Sequence, residues 1–289
     1  MGGRPRVVHR LGSWLAVLLV ACGGSLEQAP EAGSSSAPPL VLAPRDAPRM
    51  RVATFNVNFG VADRMANIEA IEAIDADVVL LQETTLAAED RYRDALGERY
   101  PHILFQDCCR AGGLGILSKH PIAEETYLAS ETGWFPAWLV AIEGPLGRVQ
   151  FLDVHLRPPV SDSGSWVKGY FTTRDDRRAE IEGFWGFVDP AVPTIVAGDF
   201  NEGPNGHAIE FLADAGLRSA LPQVDPRADT WHWPLKVGEL RSMLDHIVYD
   251  GRLALLHAEV REVGDSDHYP VFADFTAVVP PTKSARPGE

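Results

Sequence analysis

The stretch Pro193 to Asn201, PTIVAGDFN, is a short apolar run that delivers an aspartate and an asparagine into a turn. Asp199 and Asn201 stand two residues apart, so in extended geometry their side chains leave the same side of the chain and can touch one small ligand. Taken alone, the same residues also describe an Asx turn closing a core strand, with no chemistry attached. The layout recurs along the chain, however. Asn56 and Asn58 end the apolar run that begins at Met50, Glu83 follows Asp77 to Gln82, and His155 closes the run from Val149. Asp245 lies within Ser242 to Tyr249, and Asp267 and His268 precede the run to Phe275. Carboxylates, amides and imidazoles drawn from several strand ends can hold a polar ligand and move protons around it. Singly, Glu83 also reads as a helix cap, His155 as a satisfied core histidine and Asp245 as a strand-end charge. Their repeated placement is what points to a common cleft.

Such a cleft needs strands that align. Ile195, Val196 and Ala197 suit a strand buried on both faces, and Gly198 permits a sharp turn behind it. Met50 to Val57 predicts the first strand, Met65, Ile68, Ile71 and Ile74 recur at helical spacing, and Asp77 to Gln82 predicts a second strand. That order opens a layered α/β domain. Short strands are predicted at His102 to Gln106, Leu114 to Ser118, Ala123 to Ala129, Ala137 to Glu143 and Val149 to Leu156. Turn residues such as Gly144, Pro145 and Gly147 make this middle part antiparallel. Arg157 to Thr172 lacks periodicity and is long for a connection; Trp166, Tyr170 and Phe171 beside Arg157 and Lys168 suit a substrate rim, or an ordinary surface loop. Ile181, Phe184, Trp185 and Val188 mark an amphipathic helix that ends before Pro190, and a shorter helix through Ile209 and Leu212 stops at Gly216. Ser242 to Tyr249, Leu253 to Val263 and Tyr269 to Phe275 read as closing strands.

With 289 residues, 45% of them hydrophobic, the chain can bury a full core, and neither a second linker nor a repeat divides it. Arg4, Arg6 and Arg10 precede an apolar run from Leu11 to Ala21, the layout of an export signal and too short to span a bilayer comfortably. Leu19, Val20, Ala21 and Cys22 resemble the lipobox of bacterial lipoproteins, in which the cysteine becomes the lipidated first residue. The expected organisation is therefore a signal peptide at 1–21, lipidated Cys22 with a disordered tether to 48, a domain over 49–278 and a tail over 279–289. It places the protein in the bacterial cell envelope, exported and membrane-anchored through Cys22. Cleavage would remove three arginines and no acids, taking the formal charge from −14 to −17, a surface that disfavours non-specific nucleic-acid binding. Cys108 and Cys109 are neighbours and read either as a vicinal bridge or as two buried thiols.

Several blocks together resemble the endonuclease/exonuclease/phosphatase superfamily: TFNVN at 54–58, LLQET at 80–84, GGLGILSKHPI at 112–122, DVHL at 153–156, GDFN at 198–201, MLDHI at 243–247 and SDHYPV at 266–271. They occur in the family's order, and GDFN with SDHYPV is the most specific pair. The resemblance implies a four-layered α/β sandwich, two facing mixed β-sheets flanked by helices, and a divalent-metal-dependent phosphoesterase. It implies metal-site roles for Asn56, Asn58, Glu83 and Asp267, although Asn58 stands where many members have an acid. Catalytic roles are implied for His155, Asp199, Asn201, Asp245 and His268. Asp199 and Asn201 would position the attacking water and the phosphate, Asp245 would orient His268, and His155 would address a phosphate oxygen. Carboxylate and amide oxygens are hard ligands, so Mg²⁺ or Mn²⁺ is the expected cofactor, with His268 and His155 protonated beside it.

The substrate class stays open in the sequence. A phosphodiesterase of nuclease type is favoured, with a sphingomyelinase-like or other phospholipid phosphodiesterase as the alternative and a non-catalytic binding protein on the same fold as the third reading. For the lipid reading, Trp134, Phe135 and Trp138 are candidates to dip into a bilayer, although a place in the core is the favoured reading of such aromatics. No protein partner is implied.

Overall fold

Strands that are apolar on both faces need cover on both, and two six-stranded sheets with helices outside supply it. The computed structural model of the protein describes residues 46–130, 134–160, 169 and 172–278. The predicted signal, most of the tether and the tail lie outside the described residues, as do Trp166, Lys168, Tyr170 and Phe171. The first sheet contains β1 (Met50–Asn56), β2 (Val78–Gln82), β3 (His102–Gln106), β4 (Leu114–Ser118), β13 (Leu253–Val260) and β14 (Val271–Ala277), in the order β13-β14-β1-β2-β4-β3. In the second are β5 (Ile122–Leu128), β6 (Ala137–Gly144), β7 (Gly147–His155), β8 (Thr194–Asp199), β9 (Arg218–Ser219) and β12 (Asp245–Tyr249), in the order β5-β6-β7-β8-β12-β9. Both are mixed: β1 with β2 and β7 with β8 run parallel, and the other pairs are antiparallel. β10 (Trp231–Pro234) and β11 (Glu239–Ser242) form a separate hairpin.

Period-2 alternation sorts the side chains into layers. Met50, Val52, Val78, Leu80, Phe151, Ile195, Ala197 and Ile247 share the core between the sheets. Their neighbours Ala53, Phe55, Val79 and Leu81 face α1 (Met65–Ile74) and α2 (Leu86–Leu96). On the far side, Leu152, Val154 and Val196 pack against α3 (Arg174–Trp185) and α4 (His207–Asp214). Truncating a fully buried member such as Phe151 to alanine should cost about 3–5 kcal/mol. A single short helix, α5 (Leu221–Val224), follows β9.

Several local expectations shift. The run Ser242 to Tyr249 is interrupted at Met243 and Leu244, because the Thr230 hydroxyl accepts the backbone N–H groups of Leu244 at 2.9 Å and Asp245 at 3.0 Å. The last strand starts at Val271 rather than Tyr269, and β13 ends at Val260 rather than Val263. Helix α2 and the β10–β11 hairpin are not anticipated by the sequence reading at all. Thr85 caps α2, its hydroxyl accepting the N–H of Ala88, so Glu83 is not a helix cap. Cys108 and Cys109 form a disulfide, with Cys108 half-buried and Cys109 exposed, in place of two buried thiols. Phe135 and Trp138 are buried, whereas Trp134 is exposed with the Arg157 guanidinium over its ring at 4.8 Å.

Candidate active site

The inward-facing rows turn polar at one end of both sheets. In β1 the row runs Met50, Val52, Thr54, Asn56; in β7 it runs Val149, Phe151, Asp153, His155; in β8 it runs Ile195, Ala197, Asp199. β12 enters antiparallel, so its first residue, Asp245, arrives at the same level. Register then sets Asp199 between His155 on one side and Asp245 on the other. In the facing sheet Asn56 pairs with Gln82, and Glu83 follows with φ 58°, a left-handed turn that a non-glycine residue adopts only when its surroundings hold it. Here they do: Glu83 Oε1 accepts from Asn56 Nδ2 at 3.0 Å, and Oε2 accepts the backbone N–H of Phe59 at 3.1 Å. The same Asn56 amide donates to Asp199 Oδ2 at 3.1 Å, joining one sheet to the other.

Asp199 uses its two oxygens differently. Oδ1 accepts the backbone N–H of Asn201 at 2.8 Å, an Asx turn, and Asn201 sits at φ 53° with its amide donating to the carbonyl of Leu156 at 2.9 Å. The two side chains therefore do not leave an extended strand side by side; the turn and the site coexist. Oδ2 faces Asn56 Nδ2 and, at 3.6 Å each, Nε2 of His155 and Nε2 of His268.

His268 Nδ1 lies 2.9 Å from Asp245 Oδ2, which also accepts from the Thr230 hydroxyl at 2.6 Å. An ionised carboxylate only accepts, so Nδ1 carries the proton and Nε2 is directed at Asp199. Burial opposes charge on this imidazole, but the carboxylates of Asp245 and Asp199 outweigh it and lift His268 to about 10. Burial also raises Asp199, to about 6, against the pull of His268. Glu83 is raised by burial as well, with the Asn56 hydrogen bond opposing. His155 is different. Its Nδ1 donates to the carbonyl of Ala111 at 3.0 Å, and burial lowers its pKa, so it rests neutral with Nε2 toward Asp199 and, at 3.9 Å, toward Glu83. Burial thus works against the protonated His155 that the sequence reading expects beside a phosphate.

Asp267 is held from two sides, by Asn58 Nδ2 at 2.6 Å and by the indole N–H of Trp231 at 3.1 Å. Asn58 Oδ1 accepts the N–H of Gly60 at 2.9 Å, so both ends of that amide are engaged within the turn and with Asp267. Ser266 donates to the carbonyl of Asn56 at 2.7 Å and accepts the N–H of His268 at 3.1 Å, fixing the loop before β14 on β1. Thus Asn56, Asn58, Glu83, His155, Asp199, Asn201, Asp245, Asp267 and His268 come together at one end of the sheets. Thr230 and Trp231 escaped the sequence reading, since nothing in their spacing marks them, and Ser266 stood in the SDHYPV block without a role of its own. Gln82 and Asp153 were visible as inward positions within two of the quoted blocks. Gln82 Nε2 donates to Asp153 Oδ1 at 2.7 Å and to Thr54 Oγ1 at 3.1 Å, forming a polar bridge between the sheets just below the cluster.

Asp199, Asp245 and His268 offer ligand atoms within 4.8 Å of one another. Asp245, however, is already committed to His268 and Thr230, which suits proton handling better than metal ligation. The carboxylates of Glu83 and Asp267, whose charges act on each other, supply hard oxygens that fit Mg²⁺ or Mn²⁺; Asn56 orients Glu83 through its Nδ2–H, while its Oδ1 accepts the N–H of Asn58 at 3.0 Å.

A profile of the Endonuclease/Exonuclease/phosphatase family matches residues 53–268. Among solved structures, the chain is similar to an endonuclease/exonuclease/phosphatase from Beutenbergia cavernae, at 22% identity over 79% of this chain and 72% of that one, TM-score 0.62. It is similar also to the human Nocturnin catalytic domain with bound sulfate, at 19% identity over 80% and 96% of the two chains, TM-score 0.61. A third is an endonuclease/exonuclease/phosphatase from Bacteroides vulgatus, at 18% identity over 80% and 99%, TM-score 0.59. Likeness at these identities carries the fold. No curated protein matches the chain.

Proposed function

Because this chain belongs to the Endonuclease/Exonuclease/phosphatase family, a family of metal-dependent phosphoesterases, we propose that it hydrolyses phosphodiester bonds at the cluster around Asp199. One observation carries this reading: a single carboxylate oxygen, Asp199 Oδ2, is ringed by an amide and two imidazoles, with the Glu83 carboxylate alongside. A cation held by Glu83, with Asn56 and Asp267 assisting, would supply Lewis-acid polarisation of a phosphoryl oxygen. Asn58 acts by holding Asp267 in place. At neutral pH Asp199 is ionised and His268 protonated, so Asp199 Oδ2 accepts the proton of the attacking water while His268 Nε2–H donates to the phosphate. Asp245 keeps the proton on Nδ1 of His268 and stabilises the imidazolium. His155, its ring fixed by the Ala111 carbonyl and by stacking on Phe135 at 4.3 Å, takes up a proton at Nε2 as the anionic phosphate approaches and donates it to a phosphate oxygen. Asn201 ties the turn to Leu156 and so sets the angle of Asp199.

Exposed aromatics beside the site support a nuclease-type substrate: Phe59 next to Glu83, and Trp233 stacked parallel to Trp231, are surfaces on which bases stack. A phospholipid substrate is the second reading, favoured by the hairpin that rises from His268 and Asp267. Its tip exposes Trp233, Leu235, Val237 and Leu240, Val237 by 90%, with Lys236 among them. The neighbouring cations Arg64, Arg157 and Arg241 are each paired with an acid, which weakens any track for a polyanion. Export and lipidation at Cys22 belong to the same proposal. Among the described residues no helix is long and apolar enough to cross a membrane. Metabolic labelling with a fatty acid should mark the wild-type chain and not Cys22→Ser; equal labelling removes the anchor.

The function is tested with the purified full chain in Mg²⁺ or Mn²⁺, with and without EDTA, on plasmid DNA, RNA, sphingomyelin vesicles and bis(p-nitrophenyl) phosphate. EDTA-sensitive cleavage of nucleic acid supports the nuclease reading and cleavage of lipid the second. Inertness on every substrate leaves the binding-protein reading.

A further inference from the structure

The turn between β3 and β4, Asp107 to Gly113, supports both halves of the site at once. Its Ala111 carbonyl accepts from His155 Nδ1 at 3.0 Å, and its Gly113 carbonyl accepts the N–H of Thr84, the residue after Glu83, at 3.1 Å. A Cβ on Gly113 would lie 2.1 Å from the Thr84 carbonyl oxygen, so the two backbones touch with no room for a side chain. The turn needs something to hold it, because Cys109 and Arg110 are consecutive non-glycine residues at φ 42° and 69°. The disulfide between Cys108 and Cys109 sits where those dihedrals occur, and the Cys108 carbonyl accepts the N–H of Gly112 at 3.1 Å. From the bridge, contact passes to the imidazole through packed atoms. A Cβ on Gly112 would lie 2.5 Å from the Cys109 sulfur and 3.0 Å from the Phe135 ring, and that ring stacks on His155 at 4.3 Å, tilted 25°. Cys109 is exposed, so a thiol in solution can reach it.

We propose that the Cys108–Cys109 disulfide is a positioning element for His155 and for the backbone after Glu83, and that its reduction by a dithiol lowers turnover at the site. The proposal rests on the phosphodiesterase reading for its activity arm only. In the reaction, one thiolate of the reductant attacks a bridge sulfur, and its second thiolate then resolves the mixed disulfide. Two electrons pass from the reductant to the cysteines, both cysteines end as thiols, and the reductant leaves as its own disulfide. With the bridge open, Cys109 and Arg110 are free to leave their left-handed conformations, and the Ala111 carbonyl moves off His155.

The test uses the full chain in its oxidised form, after dithiothreitol with iodoacetamide capping and desalting, and as the Cys108→Ser/Cys109→Ser variant. Mass analysis of the capped 108–109 peptide verifies reduction. Hydrolysis of bis(p-nitrophenyl) phosphate should show kcat lowered by about tenfold or more on reduction, with KM changed less, as misplacement of a group acting in the transition state requires. Turnover of the uncapped reduced enzyme should return with oxidised glutathione, and the serine variant should match the reduced enzyme and ignore dithiothreitol. A second readout needs no activity: in NMR spectra of ¹⁵N-histidine-labelled protein, the His155 Nδ1–H signal, sheltered by the Ala111 carbonyl, should broaden or vanish on reduction while the amide spectrum of the sheets persists. Unchanged kcat together with an unchanged His155 signal in verified reduced protein overturns the proposal. Loss of the His155 signal in a protein with no turnover in either state would uphold the positioning role and defeat the phosphodiesterase reading instead.

Discussion

Buried His246 is one residue through which acid should weaken this protein. His246 follows Asp245 but faces the other side of β12, wholly buried, with Phe200 edge-on at 5.5 Å. Its Nε2 donates to the Glu202 carbonyl at 3.0 Å and its Nδ1 pairs with the Ser219 hydroxyl at 3.0 Å, so the neutral ring has a partner on both nitrogens. Burial pushes its pKa from 6.5 down to about 4. Between those values the unfolded chain binds a proton that the folded chain refuses. The contribution is complete above pH 6.5 and is lost as pH falls through the window. Relative to pH 7.5, the loss from this residue is about 2 kcal/mol at pH 5 and approaches about 3 kcal/mol below pH 4. His246→Gln keeps a donor for the Glu202 carbonyl and cannot titrate. Urea unfolding of both proteins at pH 7.5 and 5.0 measures the difference; the buried acids, which titrate with the opposite sign, cancel between them. Wild type should lose about 2 kcal/mol more than the variant. Parallel losses would refute the assignment of a neutral, buried His246. The residue matters to the site because Glu202 lies just past Asn201, and its carboxylate caps α4 through the N–H groups of Ala208 and Ile209.

Other consequences are equally concrete. Asp153 is wholly buried, its Oδ2 has no hydrogen-bond partner, and burial raises its pKa well above 3.8. Stability is therefore lost as pH rises from the ordinary carboxylate range toward the folded value, and melting temperatures should show Asp153→Asn gaining on wild type from pH 4 to 8; a constant gap contradicts this. Arg177→Met strands the Glu202 carboxylate, its buried partner at 3.0 Å, and should cost about 3–5 kcal/mol in denaturant unfolding. Asp199→Asn and Glu83→Gln should each lower kcat by about 10²–10³-fold with circular dichroism unchanged, and near-normal turnover would remove either residue from the mechanism.

Much of this arrangement could be read in advance because sheets enforce a two-residue period. Val52 and Thr54 lead to Asn56, and Ile195 and Ala197 lead to Asp199, so a residue at the end of an inward row reveals its direction before any fold is known. What stayed hidden depends on partners distant in sequence. Glu83 reaches the cluster only because Asn56 and Phe59 hold its left-handed turn, and the Thr230 hydroxyl breaks the strand ahead of Asp245. Helix α2 buries only Ala88, Tyr92 and Leu96, a stripe too narrow to stand out among charged residues, though its Thr85 cap was there to see. The β10–β11 hairpin sets Trp231, Trp233 and Leu240 on one face, but three apolar residues over two four-residue strands are too few for a period to stand out. Its register comes from the bridge between Trp231 and His268 and from the His232 N–H on the Asp267 carbonyl at 2.9 Å.

The central claim is that the two sheets deliver their polar ends to one cation-binding phosphodiesterase site. Anomalous scattering from crystals soaked in Mn²⁺ tests it most directly. A peak should appear against the Glu83 carboxylate, between Asn56 and Asp267, and disappear in Glu83→Gln; Mn²⁺ bound elsewhere on the chain with that position empty would overturn the assignment.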